Sequence, residues 1–157
     1  MKLDPAVFTP WHYTSENCAM FLKKYLKNNA SVLDVGTGSG ILALMARKYG
    51  AGRILAVDVQ QESVDLASEN CAGKDIEVRK DYLNWNVHEK FDITIANLYQ
   101  NAAAEFLQYA KDTMADDGIL ILTWPAETSS LMIEEFYDII ERTTGQPFNT
   151  FVLKIST

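Results

Sequence analysis

Positive charge is in short supply here. Fourteen lysines and arginines stand against 21 aspartates and glutamates, and the 157-residue chain carries a net charge of −7. That balance opposes non-specific attachment to a phosphate backbone, so a nucleic-acid substrate is disfavoured. Cysteine is scarce too. Cys18 and Cys71 fall inside helical patterns without metal-ligand spacing, which argues against a disulfide framework or a metal site and fits a reduced cytoplasmic setting. No apolar run reaches the roughly 18 residues of a membrane span and no signal-peptide pattern opens the chain, so no membrane partner is expected. Repeats and low-complexity tracts are missing, and only four prolines interrupt the sequence. With 48% apolar residues, the expectation is one domain over 1–157 with a substantial core.

One segment is rich where the rest is plain: Val32-Leu33-Asp34-Val35-Gly36-Thr37-Gly38-Ser39-Gly40. An apolar strand enters a turn with glycine at alternate positions, a helix opening at Ile41 follows, and a second strand, Ile54 to Val57, ends in Asp58 and Val59. This is the layout of half a nucleotide-binding α/β sheet. Side chains in such a turn would hold a ligand away from the backbone N–H groups at the helix start. Asp58, at a strand's carboxyl end, can accept two hydrogen bonds from a ribose diol. A dinucleotide fingerprint, G-x-G-x-x-G, needs glycine at 41, where isoleucine stands, and Asp34 would lie close to a pyrophosphate. Both features disfavour NAD. They suit S-adenosylmethionine, which has no phosphate and carries a cationic sulfonium and ammonium.

The remaining pattern alternates strand and helix. Cys18, Phe21, Leu22, Tyr25 and Leu26 recur with helical period, behind an N-cap at Thr14 or Ser15. Strands are expected at 31–35, 53–58, 76–79, 91–96 and 119–124, with helices over 39–49, 61–72 and about 103–114 between them. Gly50 provides a helix stop. Such alternation implies a parallel sheet with right-handed crossovers. Toward the C-terminus, Leu131 to Phe136 is helical in period, whereas Ile139, Ile140, Thr143 and Thr144 are β-branched and Gly145-Gln146-Pro147 signals a turn before Phe151 to Ile155. The reading is a short helix and a β-hairpin; the competing one runs the helix to Arg142 and leaves a single terminal strand. Basic residues at Lys23, Lys24, Lys27, Arg47 and Lys48 read as solvated helix faces.

Asp34, Gly36, Gly38 and Gly40 form an acidic residue followed by G-x-G-x-G, and here the chain resembles the class I methyltransferases. That resemblance implies an α/β fold with a doubly wound, Rossmann-like, mostly parallel sheet and an antiparallel C-terminal hairpin. It also implies S-adenosyl-L-methionine as cofactor, with Asp34, Gly36, Thr37, Gly38, Gly40, Ile41, Asp58, Val59 and Asn97 around it. Asp81 would accept a hydrogen bond from the adenine amino group while Tyr82 packs on the ring. Methyl transfer from a sulfonium is an in-line displacement that mainly needs alignment and exclusion of water. An acceptor amine must be neutral, so a side-chain carbonyl at a strand end suits it, and Asn97 is the candidate. His12 is a candidate proton acceptor. Trp11, Tyr13, Trp85, Tyr99 and Trp124 are candidates, with His12, for an aromatic acceptor pocket.

Val32 through Ile41-Leu42-Ala43, with Ala96-Asn97-Leu98, looks more narrowly like the catalytic domain of the ribosomal protein L11 methyltransferases, which modify protein amino groups. Their G-T-G-x-H-x-T-T segment has counterparts in Thr9, His12, Thr14 and Ser15, with Phe8 and Pro10 replacing its glycines. The N-terminal arm and helix, residues 1–30, would then close over the cofactor as a lid. Those enzymes also carry a separate substrate-recruiting domain, for which these 157 residues have no room. Enzymes that methylate exocyclic base nitrogens or glutamine amides commonly show Asn-Pro-Pro-Tyr where this chain has Asn97-Leu98-Tyr99-Gln100, so adenine or RNA methylation is the lesser alternative. A cofactor-binding partner subunit without catalysis is another. The acceptor itself would be a protein or a small molecule.

Overall fold

Strands buried on both faces read as nearly continuous apolar runs, and β1 (Val32–Val35) and β2 (Ile54–Asp58) are buried at every position. The computed structural model describes residues 12–81 and 89–157, the side chain of His12 excepted. Its other elements are α1 (His12–Tyr25), α2 (Ile41–Lys48), α3 (Gln61–Asn70), β3 (Glu77–Lys80), β4 (Phe91–Ala96), α4 (Gln100–Leu107), a 3-10 turn (Ala110–Thr113), β5 (Met114–Pro125), α5 (Leu131–Glu134), β6 (Tyr137–Arg142) and β7 (Phe148–Ile155). They build one seven-stranded sheet in the order β3-β2-β1-β4-β5-β7-β6. Strands β1 to β5 run parallel, β7 runs antiparallel to β5, and β6, antiparallel to β7, points the same way as the first five; this C-terminal hairpin is the one expected of the doubly wound methyltransferase sheet.

Period-two alternation splits the core. Leu33, Val35, Leu55, Val57, Leu120 and Leu122 pack beneath α4, while Val32, Ile54, Ala56, Ile93, Ile119 and Ile121 pack beneath α1 and α2. Along β5 the same alternation places Thr123 on the α1 side. Cys18, Phe21 and Leu22 of α1 are fully buried there, so the described part of the N-terminal arm is anchored in the core. Its far end is tied to β6, where Lys24 Nζ and Tyr25 Oη donate to Glu141 at 2.7 and 2.5 Å.

Several boundaries differ from the sequence reading. Helix α1 begins at His12, ahead of the expected N-cap, because Thr14 is buried and the Ser15 hydroxyl is engaged elsewhere. The helix expected over 103–114 ends at Leu107, and β5 starts at Met114, since Phe91 pairs with Met114 before the register shifts to Ile93 and Ile119. Residues 137–142 are strand, so the long-helix alternative is overturned: β-branched Ile139 and Ile140 favour the strand that β7 offers. Arg47 is no solvated face. Its guanidinium donates to the carbonyls of Ala51, Gly52, Lys74 and Asp75 at 2.5, 2.9, 3.0 and 2.6 Å, clasping the loops before β2 and β3.

At the shifted register, a Cβ on Gly118 would lie 2.9 Å from two backbone oxygens, those of Ala115 and Phe91. Backbone cannot yield as a side-chain tip can. Gly118→Ala is expected to cost about 2–3 kcal/mol, lowering the melting temperature by roughly 5–10 °C. A thermal unfolding curve superimposable on the parent's would show that the β4–β5 junction relaxes freely.

Candidate cofactor and acceptor site

Strands β2 and β3 lie on one side of β1, and β4 and β5 on the other. The reversal of winding opens a crevice at the carboxyl ends of β1 and β4. Val35 pairs with Ala96, so the chain leaves the sheet at Gly36 and Asn97 side by side. All three glycines of the turn are left-handed, with φ of +72° at Gly36, +56° at Gly38 and +86° at Gly40. Their reasons differ. A Cβ on Gly36 would overlap Leu98 Cδ2, and one on Gly40 would press on Cys71 Sγ at 3.0 Å and on Ala67 of α3 at 3.4 Å. The left-handed φ strains any side chain at both positions, and these neighbours add crowding, independently of any clearance for a ligand.

Gly38 is held differently: its N–H donates to Asp58 Oδ2 at 3.0 Å, and the other carboxylate oxygen accepts from Gln60 N–H at 3.0 Å. Asp58 thus fastens the glycine turn to the end of β2, leaving each oxygen one further lone pair. Val59 beside it is exposed, an apolar surface at the rim. Asp81, after β3, donates its N–H to the Asp58 carbonyl, and its carboxylate lies 3.5 Å from Arg79 Nε. Tyr82, Trp85, Thr9 and Trp11 lie outside the described residues.

Asp34 sits in the third position of β1, 1% exposed. Burial pushes its carboxyl up from 3.8 to about 6; the Thr37 hydroxyl, donating at 2.7 Å, opposes the rise, the charge of Asp58 adds to it, and the Ala43 N–H opposes it. The folded state therefore keeps this proton to higher pH than the unfolded chain does, and stability falls as pH rises from about 4 to about 6. The difference is on the order of 3 kcal/mol by neutral pH. Asp34→Asn removes it. The melting temperature of the variant relative to the parent is expected to climb by several degrees between pH 4 and pH 7, and a difference that stays constant would mean that Asp34 is ionised throughout.

Asn97, half-buried at the end of β4, accepts at Oδ1 from the Thr123 hydroxyl at 2.8 Å and donates from Nδ2 to Ser15 Oγ at 3.2 Å. Thr123 Oγ1 in turn lies 3.7 Å from Cys18 Sγ. Sequence reasoning singled out Asn97 alone, because its partners come from α1 and β5. Tyr99 opens α4 and is 56% exposed. It lines a cleft of about 520 Å³ with Pro125, Glu127, Pro147 and Phe148. The backbone N–H of Phe148 donates to the Tyr13 hydroxyl at 2.9 Å, joining α1 to the far wall. Trp124, expected in an aromatic pocket, is a core residue instead, with its indole N–H donated to Ser129 O at 3.3 Å. His12 lies one turn ahead of Ser15, at the start of α1.

The model of the ribosomal protein L11 methyltransferase family matches residues 1–150. The chain belongs to that family. A ribosomal protein L11 methyltransferase from Thermotoga maritima is 34% identical over 99% of this chain and 62% of its own length, and one from Thermosipho africanus is 37% identical over 94% and 57%. The chain thus spans about 60% of the length of the curated relatives it matches. The crystal structure of a ribosomal protein L11 methylase from Lactobacillus delbrueckii subsp. bulgaricus superposes with a TM-score of 0.87, covering 99% of this chain and 84% of that one at 27% identity. A SAM-dependent methyltransferase from Aquifex aeolicus shares the fold, with a TM-score of 0.77 over 99% and 100% of the two chains at 23% identity. Membership in the L11 methyltransferase family implies S-adenosylmethionine as cofactor. Among the described residues no helix is long and apolar enough to cross a membrane.

Proposed function

We propose that this chain is a methyltransferase domain, spanning 1–157, that transfers a methyl group from S-adenosylmethionine to an amine nitrogen of a protein, as in L11 methylation. One observation carries the reading: the β1–β4 register sets a left-handed glycine turn beside an asparagine amide at the winding reversal. The residues fit the cofactor. Two carboxylates, Asp34 and Asp58, suit a cation, the exposed Val59 suits the flat face of an adenine, and the turn's backbone comes close without side chains. We assign Asp34, Gly36, Thr37, Gly38, Gly40, Ile41, Asp58, Val59 and Asp81 to holding it.

When bound, the cofactor supplies a methyl carbon already activated by a sulfonium: the nitrogen lone pair forms the new N–C bond as the C–S pair returns to sulfur. The chain's own task is placement. Asn97 Oδ1 offers its second lone pair to an N–H of the acceptor, turning the nitrogen's own pair toward the crevice. Tyr99, Phe148, Pro125 and Pro147 give the acceptor side chain an apolar sleeve, and Glu127 favours a cationic one at the mouth. The proton that the amine sheds leaves to solvent through this open cleft. His12, at the head of α1, stays a candidate acceptor for it.

Incubation with methyl-tritiated cofactor and recombinant ribosomal protein L11, paired with cofactor calorimetry, tests the reading. Label stable to acid on L11 amino groups is the expected result. Cofactor binding with no labelled protein in L11 or in a cell lysate would instead identify a non-catalytic partner subunit. Label confined to RNA would move the acceptor to a base.

A further inference from the structure

The Asn97 amide is flanked by a hydroxyl at each end, Thr123 at one and Ser15 at the other. Either hydroxyl can donate or accept, so these two contacts alone would tolerate both orientations of the amide. The tie is broken one step further back. Cys18 is fully buried on α1 with its sulfur 3.7 Å from Thr123 Oγ1, and burial pushes its thiol up to about 12, so the proton stays on sulfur at any working pH. Its S–H can donate to Thr123 Oγ1, whose own proton is directed at Asn97 Oδ1. The one proton of the Thr123 hydroxyl must then be given onward, and a donor there selects the carbonyl end of the amide. The polarity runs in one direction: Cys18 S–H to Thr123, Thr123 O–H to Asn97 Oδ1, Asn97 Nδ2–H to Ser15.

We propose that Thr123 is the positioning residue of the methyl-transfer site, its hydroxyl, directed by Cys18, locking the Asn97 amide with Oδ1 toward β5 and Nδ2 toward α1. The inference rests on the methyl-transfer reading for its effect on turnover, and on geometry alone for its effect on the amide. It reaches beyond the glycine turn and the strand-end asparagine to two buried residues, on β5 and α1. Alternation along β5 explains the choice of residue: position 123 faces α1, where the neighbouring inward positions 119 and 121 are isoleucine, so a threonine there introduces a polar atom into an otherwise apolar row.

Thr123→Val keeps the shape and removes the hydroxyl; Thr123→Ser keeps the hydroxyl. In the full chain, ¹⁵N–¹H spectra report the mobility of the Asn97 side-chain NH₂ without any substrate. Valine is expected to mobilise that group and lower kcat about 10- to 100-fold toward L11, with the cofactor dissociation constant within about twofold, while serine restores both rigidity and rate. Cys18→Ala should fall between them. An Asn97 amide as rigid in the valine variant as in the parent overturns the inference, as does an equal loss of cofactor affinity and rate, or a serine variant indistinguishable from valine. A Cys18→Ala protein identical to the parent would remove the thiol from the chain of donors. If the parent transfers no methyl group to L11, the functional reading fails, and the amide mobility alone decides the place of Thr123.

Discussion

Gly38→Val is expected to weaken S-adenosylmethionine binding by about 100-fold or more, the largest effect on affinity of any single substitution considered. At φ +56° a β-branched side chain is strained by roughly 1–2 kcal/mol, and it adds bulk to the turn proposed as the cofactor's seat. A swing of the backbone to negative φ would break the 3.0 Å bond from Gly38 N–H to Asp58 and free the carboxylate proposed to hold the sugar. Strain and lost contact together match the 2.7 kcal/mol or so that a hundredfold change in affinity represents. Gly73 provides the control. Its φ is +72°, a Cβ there would meet nothing within 4 Å, and it lies beyond α3, away from the crevice. Gly73→Ala should therefore lower stability by about 1 kcal/mol and leave affinity unchanged. Calorimetry on both variants decides: parent-like binding by the valine protein would mean that the turn is not the cofactor's seat.

Asn97→Ala is expected to lower kcat by about 100-fold or more while the cofactor dissociation constant stays within about threefold. In the proposed mechanism the amide acts on the acceptor nitrogen, so the interaction lost is one made as the new bond forms. A structural cost accompanies it. Without Oδ1, the buried Thr123 hydroxyl loses its acceptor, a penalty of about 1–3 kcal/mol that thermal unfolding will show. Single-turnover rates and equilibrium binding separate the two effects. Parallel losses in rate and affinity would transfer Asn97 from the acceptor site to the scaffold.

The helix that threads the first and last parts of the site ties these effects to the fold. Helix α1 contributes Cys18 and Ser15 to the Asn97 chain and Tyr13 to the cleft wall, and is itself fastened to the edge strand by Lys24 and Tyr25 on Glu141.

What could be read from residue order was whatever depends on near neighbours. Apolar strands buried on both faces, the glycine turn, a helix stop at Gly50, Asp58 at a strand end and the β-branched hairpin all express local conformational preference, and each is where it was expected. Boundaries slipped where distant pairing overrode propensity, as at Met114, which joins β5 because Phe91 lies opposite, and at Ser15, which serves Asn97 rather than a helix cap. Arg47 looked like one more surface charge until four carbonyls from two loops converged on it. Trp124 kept no place among the acceptor aromatics, since its face of β5 turns into the core. The amino-acid order alone therefore determined the sheet, the cofactor turn and the identity of the strand-end amide, because a turn's φ angles and a strand's periodicity are settled within a few residues. Only the tertiary structure decided which neighbours crowd Gly36 and Gly40 and which groups hold Asn97. Those contacts join residues from 26 to 82 positions apart, which no local pattern records.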